Sequence, residues 1–402
     1  MLSTKQRLPF EVWALVAGGF AVALGYGVVA PAIPQFALEF GVSNFAASAI
    51  VSAFALMRLV GAPLAGLVID RIGERRSYTI GILIVALSTG AAAFAMNYPQ
   101  FLVLRGAGGL GSALFTISAT ALIAKVSPVE ARGRVASLNA AGFLLGGLLG
   151  PVLGGVVAVF GLRAPFVFYF FTLVVAAVTV MIALRGSFVA GTRATTGGAP
   201  TTDELRLAAA MRVPQFRTLL FSVFGFGWAS FGVRISLIPI LVAVGFGGDA
   251  TAAAWILGAY AAGNAALIFP SGRWNDTVGR KPMIVLGLGV LAVSYLAIAA
   301  APSLWLLAAV MLVAGAGSAL VNPGQQAVLA DVLAKRRSGQ VVAASSMAGD
   351  LGGVLGPAIA GLVVDFAGFD WAFGLTAALL AAGAIAWAFT PDSAPRSARR
   401  AQ

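Results

Sequence analysis

Apolar residues along this chain come in long runs rather than in one-sided stripes. Twelve stretches of about 20 residues are separated by short polar loops, near 11–35, 46–69, 78–96, 100–124, 136–160, 164–184, 217–243, 252–273, 283–300, 303–330, 340–364 and 371–390. A helix on a soluble protein would show water one polar face. These runs are apolar on all sides, so the pattern predicts an all-α polytopic membrane protein with twelve transmembrane helices. The first run follows Lys5 and Arg7, as the core of a secretory leader would. It is longer than a leader core and eleven more spans follow it, so it reads as a retained helix.

Composition agrees: 60% of the residues are hydrophobic and 10% charged, with a mean hydropathy of +0.96. Cys and His are both absent, which removes thiol chemistry, disulfides, most zinc or haem sites and the usual proton shuttle near neutral pH. No cofactor and no metal site is expected. The net charge of +12 would suggest nucleic acid in a soluble protein, but here its placement points to the lipid bilayer. With the N-terminus, the even-to-odd loops and the C-terminus on the cytoplasmic side, those segments hold 22 of the 26 Lys and Arg residues. The outer loops hold only Arg163, and Arg58, Arg105 and Arg234 lie inside spans. The positive-inside rule then predicts a cell-membrane protein with both ends in the cytoplasm. Arg outnumbers Lys by 22 to 4, in keeping with a bacterial source of high GC content.

The chain repeats itself. LGGLLGPVLGG at 145–155 returns as LGGVLGPAIAG at 351–361, 206 positions on. GSAL at 111–114 returns at 317–320, and Gly66, Asp70 and Gly73 return as Gly272, Asp276 and Gly279, all at the same offset. Two six-helix halves in parallel repeat are a transporter architecture. The division expected is residues 1–185 for the first half, 186–216 for a cytoplasmic central loop, 217–391 for the second half and 392–402 for a cytoplasmic tail. Within the loop, Thr201 and Glu204 form a capping box that would start a short surface helix through LRLAAAM.

These motifs resemble the major facilitator superfamily over essentially the whole chain. Gly66-x-x-x-Asp70-Arg71-x-Gly73-x-Arg75-Arg76 is similar to the family's loop motif between the second and third spans, with a looser copy from Gly272 through Asp276, Gly279, Arg280 and Lys281. The resemblance implies a cytoplasmic latch there. Arg105-x-x-Gly108-Gly109 resembles a second motif of the family. Gly146-x-x-x-Gly150-Pro151-x-x-Gly154-Gly155 resembles the motif of its antiporters, which points to the twelve-helix drug:proton exporters. Independently of that likeness, Gly146, Gly150 and Gly154 line one helix face and allow a neighbour to approach closely. Pro151 removes a backbone hydrogen bond, which packed membrane helices tolerate. Gly352, Gly356 and Pro357 repeat the arrangement, so a pair of bent gating helices is expected, with plain small-residue packing as the alternative.

Charges inside the membrane mark the candidate chemistry. Among the 14 acids, Asp350 alone lies well within an expected span, where an unpaired charge costs at least ~3 kcal/mol. Arg58 lies roughly 18 Å from Asp70 along its helix and Asp350 roughly 16 Å from Gly339 along its own, at 1.5 Å per residue. The depths match, and in the resembling family these two helices adjoin, so an Arg58–Asp350 ion pair broken or protonated during the cycle is expected. A static pair, or two residues lining water separately, stays open. Arg105, Gly109, Ser112 and Thr116 make a polar stripe that should face a substrate cavity, as should Tyr260, Asn264 and Ser271 on the eighth span and Ser318, Asn322 and Gln325 on the tenth. Polar packing between helices is the competing account. Phe224, Trp228 and Phe231 fall on one helical face, with Arg234 a turn beyond, and could stack an aromatic substrate. Three intramembrane Arg against one Asp leave that cavity positive, which favours an anionic or neutral substrate. The resembling exporters often carry an acid in the first span upstream of the Gly25-x-Gly27…Pro31-x-x-Pro34 run, and Val22 stands there.

The function expected is secondary export of a small molecule by a monomer, in exchange for protons, by alternating access. Import by a symporter or facilitator is the alternative, and a non-transporting sensor or scaffold is the alternative of another class. No phosphate-binding loop is present to use ATP, and no nucleophile–base or metal cluster suggests an enzyme.

Overall fold

A backbone surrounded by lipid must satisfy its own N–H and C=O groups, and a chain of apolar runs does so by forming helices. The computed structural model describes residues 8–128, 131–185, 207–333 and 338–392, with backbone alone at 132, 133 and 276. The expected capping box at Thr201–Glu204, most of the central loop and the tail beyond 392 lie outside them. Among the described residues there is no strand.

The helices are α1 (Phe10–Val29), α2 (Ala32–Leu38), α3 (Asn44–Ile72), α4 (Glu74–Ala92), α5 (Tyr98–Val126), α6 (Arg132–Ala158), α7 (Ala164–Ala183), α8 (Leu207–Ala210), α9 (Pro214–Phe226), α10 (Arg234–Ile240), α11 (Ala250–Thr277), α12 (Arg280–Ala299), α13 (Leu304–Leu333), α14 (Gly339–Ala367) and α15 (Phe369–Phe389). Among the described residues, eleven spans are long and apolar enough to cross a membrane, with α1 and α2 acting as one. Of the twelve expected spans, α4 falls short. Glu74, Arg75 and Arg76 fill its first turn and dilute an otherwise apolar helix. Helices run unbroken through Pro63, Pro151, Pro270, Pro323 and Pro357.

The seventh span departs from its expected plain helix. Between α9 and α10 the backbone widens into π-helical turns over Gly227–Val233, and again over Leu241–Gly245 after α10. Such turns are rare and tend to sit at functional positions.

The chain packs as two units, one of residues 1–42 and 53–196, the other of residues 43–52 and 197–402. Within the first, α1 packs on α6 and α7, and α4 on α5 and α7. Within the second, α13 packs on α11 and α12, α12 on α15, and α14 on α9 and the first π-helical segment. Residues 43–52, the start of α3, pack in the second unit along α14. The Asp365 carboxylate accepts from the backbone N–H of Asn44 at 3.0 Å and of Phe45 at 2.9 Å, and from Asn44 Nδ2 at 2.9 Å. Ser52 Oγ donates to Val354 O at 2.7 Å. An acid capping a helix N-terminus meets both its free donors and its dipole.

Glycine explains the repeated GSAL. A Cβ on Gly111 would lie 2.8 Å from Gly81 O, and one on Gly317 would lie 3.1 Å from Gly287 O. The same glycine-to-glycine crossing therefore joins α5 to α4 and α13 to α12. Small residues that bring backbones together replace the hydrophobic effect as the packing force in lipid.

Candidate functional site

Arg105 on α5 is 2% exposed. Its guanidinium carbon lies 4.7 Å from the centroid of the Phe54 ring on α3, and Tyr26 and Tyr169 are close enough to interact electrostatically with it. Glycines make the enclosure possible. A side chain at Gly109 would strike Phe54 O on α3, and one at Gly25 would strike the Tyr169 ring. Arg105 was expected to face a cavity; its aromatic surroundings were not foreseen.

The second unit holds a parallel arrangement. Arg234 lies 4.1 Å from the Tyr260 ring centroid and its Nε donates to Ser230 O at 2.9 Å. Ser230 Oγ and Tyr260 OH are 3.1 Å apart. Tyr260 stands 206 positions after Phe54, and Gly315, the repeat of Gly109, likewise admits Tyr260 O against its own helix. Equivalent aromatic faces thus each carry an arginine, although the arginines come from non-equivalent helices. The π-helical turn shapes this corner. Arg234 N–H reaches back to Ala229 O, and Tyr295 OH donates to the same oxygen at 2.6 Å.

The expected aromatic face of the seventh span is divided. Trp228 is buried and its Nε1 donates to Thr376 Oγ1 at 3.1 Å, with Phe224 6.1 Å from it. Phe231 is exposed and meets Phe226 edge-on at 6.1 Å instead. A π-helical turn advances each residue by less than 100°, so spacing counted on an α-helix no longer puts Phe231 with Trp228.

The other expected cavity residues scatter. Ser112 is half-buried, while Thr116 is exposed and its hydroxyl donates to Ser112 O at 2.8 Å. Asn264 Nδ2 donates to Ser318 Oγ at 3.3 Å, joining α11 to α13. Ser271 is buried and donates to Ile268 O. Gln325 is buried and its Nε2 donates to Ser222 Oγ at 3.2 Å. Asn322 is exposed. Arg58 lies exposed on α3 in the first unit, and Asp350 half-buried on α14 in the second.

The Gly-Pro seams each grip a helix of their own unit. A Cβ on Gly146 would lie 2.6 Å from Phe20 O, one on Gly150 2.6 Å from Gly27 Cα, and one on Gly154 2.8 Å from Val28 O, all on α1. On α14, a Cβ at Gly352 would strike Phe224 O, and one at Gly356 would lie 2.8 Å from Trp228 O. Pro151 and Pro357 are both buried beside these contacts. Sliding or separation of either pair is therefore governed by backbone-to-backbone contact.

At the expected latch, Gly73 (φ +82°) and Gly279 (φ +111°) precede α4 and α12 directly. Both adopt left-handed backbone, which explains glycine at both copies. Gly66 and Gly272 have open space where a Cβ would stand. Asp70, Arg71 and Arg76 are exposed and Arg75 half-buried, while the side chain of Asp276 lies outside the described set. Sequence reasoning missed the ion pairs beside the latch: Glu74 with Lys125 at 2.6 Å and Arg280 with Asp331 at 2.9 Å. Their positions are repeat equivalents, and the signs are reversed.

A family model described as Major Facilitator Superfamily matches residues 15–237 and again residues 219–402. Multidrug resistance protein 2 of Bacillus subtilis (strain 168) is 31% identical over 173 residues, 43% of each chain. Quinolone resistance protein NorA of Staphylococcus aureus (strain MRSA252) is 28% identical over 158 residues, 39% of this chain and 41% of its own. The chain thus spans about two fifths of the length of the curated relatives it matches. Among solved structures, a bacterial homologue of the human lysosomal transporter Spinster, inward-facing and occupied, gives a TM-score of 0.75 at 17% identity, covering 95% of this chain and 96% of that one. A D-xylose–proton symporter gives 0.75 at 18% identity, covering 96% and 98%. At such identities the likeness is one of fold.

Proposed function

Because the chain belongs to the major facilitator superfamily of membrane transporters, we propose that it is an exporter of small molecules driven by inward proton movement, working by alternating access in a cell membrane with both ends cytoplasmic. The observation that carries the reading is the likeness to proteins named for multidrug and quinolone resistance. The glycine seams support it, because a rocking cycle needs helices that move as packed pairs. In this reading Asp350 takes up the coupling proton, and Arg58 is the counter-charge it gives up in doing so. Val22, at the place of the usual first-span acid, leaves Asp350 as the acid within the spans best placed for the task.

The test is uptake into inverted membrane vesicles under an imposed pH gradient, with a panel of dyes, drugs and organic anions and with Asp350→Asn alongside. Gradient-dependent accumulation that the variant loses supports proton-coupled export. Equal transport with and without the gradient makes the protein a facilitator. Gradient-driven movement only in the opposite direction makes it a symporter.

A further inference from the structure

We propose that Arg105 is the anchor of an anion site, so that the transported molecule carries an acidic group, a carboxylate or similar oxyanion, on an apolar body. The inference rests on the transport reading above and adds the substrate's charge class to it.

A guanidinium has five N–H donors and stays charged at every accessible pH. Buried inside the protein about two turns from the start of its span, as Arg105 is, such a group needs a counter-charge or water. The protein supplies Arg105 with a ring face instead. Phe54 covers it at 4.7 Å, Nε is buried without a hydrogen-bond partner, and among the described residues no carboxylate pairs with it. A ring face attracts the cation but accepts none of the in-plane N–H bonds. The fork in the guanidinium plane has the geometry that holds two oxygens of one acid group. Phe54 is half-buried and leaves part of its ring for the rest of the same molecule, while Tyr169 is buried against Gly25.

Arg234 repeats the logic in the second unit. It stacks on Tyr260 and gives one bond to a backbone carbonyl, again with no carboxylate among the described residues. A protein whose task was to bind organic cations would gain nothing from two such centres. A lipid headgroup, held at the membrane surface by its acyl chains, is a poor candidate for the partner of a side chain that is 2% exposed.

The experiment uses the purified full-length chain in phosphatidylcholine nanodiscs. Equilibrium binding of 1-naphthoate is compared with its neutral isostere 1-naphthamide and with 1-naphthylmethylammonium. We expect naphthoate to bind about 10- to 100-fold more tightly than the amide, as one charge-assisted pair gives. Arg105→Gln should remove that preference, so that acid and amide bind alike, within about threefold of each other. Arg105→Lys, which keeps the charge but loses the fork, should keep part of it. Equal binding of acid and amide by the unaltered protein, or no binding of the acid, overturns the proposal without any variant. An undiminished preference in folded Arg105→Gln overturns it as well. Movement of other dyes in the vesicle assay without any preference for naphthoate would sink the anion assignment and leave transport standing. Naphthoate held through Arg105 with nothing moved would do the reverse.

Discussion

Alanine in place of Gly150 is the smallest change that tests how the Gly-Pro seam works. The new Cβ would lie 2.6 Å from Gly27 Cα, 2.7 Å from Leu24 O and 3.1 Å from Gly27 C. Carbon atoms in good contact sit about 3.5–4.0 Å apart, so the overlap is on the order of 1 Å. The atoms met are backbone, and no rotamer change relieves them, so α6 must move off α1. Overpacking of this kind costs about 1–3 kcal/mol. For a unit of this size that lowers the melting temperature by roughly 2–4 °C for each kcal/mol. Gly147 stands on the same helix with nothing within 4 Å of its Cβ position. Gly147→Ala should therefore be neutral or stabilising by up to ~1 kcal/mol through helix propensity. Thermal unfolding of the detergent-solubilised protein, followed by helical circular dichroism, measures both variants. Gradient-driven uptake in vesicles then separates loss of stability from loss of movement. We expect Gly150→Ala to melt lower and transport more slowly at a temperature where it is still folded, and Gly147→Ala to do neither. Equal melting curves for the two variants would refute the backbone-contact account of the seam.

Two further outcomes follow from single contacts. Glu74→Gln removes the carboxylate charge that Lys125 meets at 2.6 Å and should cost about 1–3 kcal/mol, the worth of one charge-assisted contact. The exchanged pair Glu74→Lys with Lys125→Glu should recover most of that in the same melting assay. Asp365→Ala removes three hydrogen bonds at the start of α3 and should cost about 1–2 kcal/mol. Faster amide exchange at Asn44 and Phe45 would report it, and unchanged exchange there would contradict the capping role.

Much of the fold is written in the run lengths, since apolar runs of span length in lipid have helices as their solution. The 206-residue offset carries further than the motifs it was noticed in. Applied to Phe54 it leads to Tyr260, and applied to Glu74 and Lys125 it leads to Arg280 and Asp331. What sequence could not supply was the partner on another helix. Arg105 was visible as a charge inside a span, but the ring it rests on is 51 positions earlier, at no spacing that any helix periodicity generates. The π-helical turns at Gly227–Val233 were hidden for a different reason. No residue pattern there forbids an α-helix, and the wider turn is accompanied by one tertiary bond from Tyr295 and by the close passage of α14. That one turn divided Phe231 from Trp228, which periodicity had grouped. Gln325 and Asn264 read as cavity residues on polarity alone, and their bonds to Ser222 and Ser318 tie helices together.

The reversed ion pairs bear on how such a duplicated chain assembles. Two halves with similar surfaces and glycine crossings offer each helix a decoy partner in the wrong half, and misassembly between related modules is a characteristic failure of repeated proteins. Here α4 brings Glu74 to Lys125 on α5, and α12 brings Arg280 to Asp331 on α13. Docked on the wrong neighbour, α4 would set Glu74 against Asp331, and α12 would set Arg280 against Lys125. Both are like-charge encounters at sites where the side chains are largely shielded from water. With the polarity inverted, each hairpin meets an opposite charge in its own half and would meet a like charge in the other.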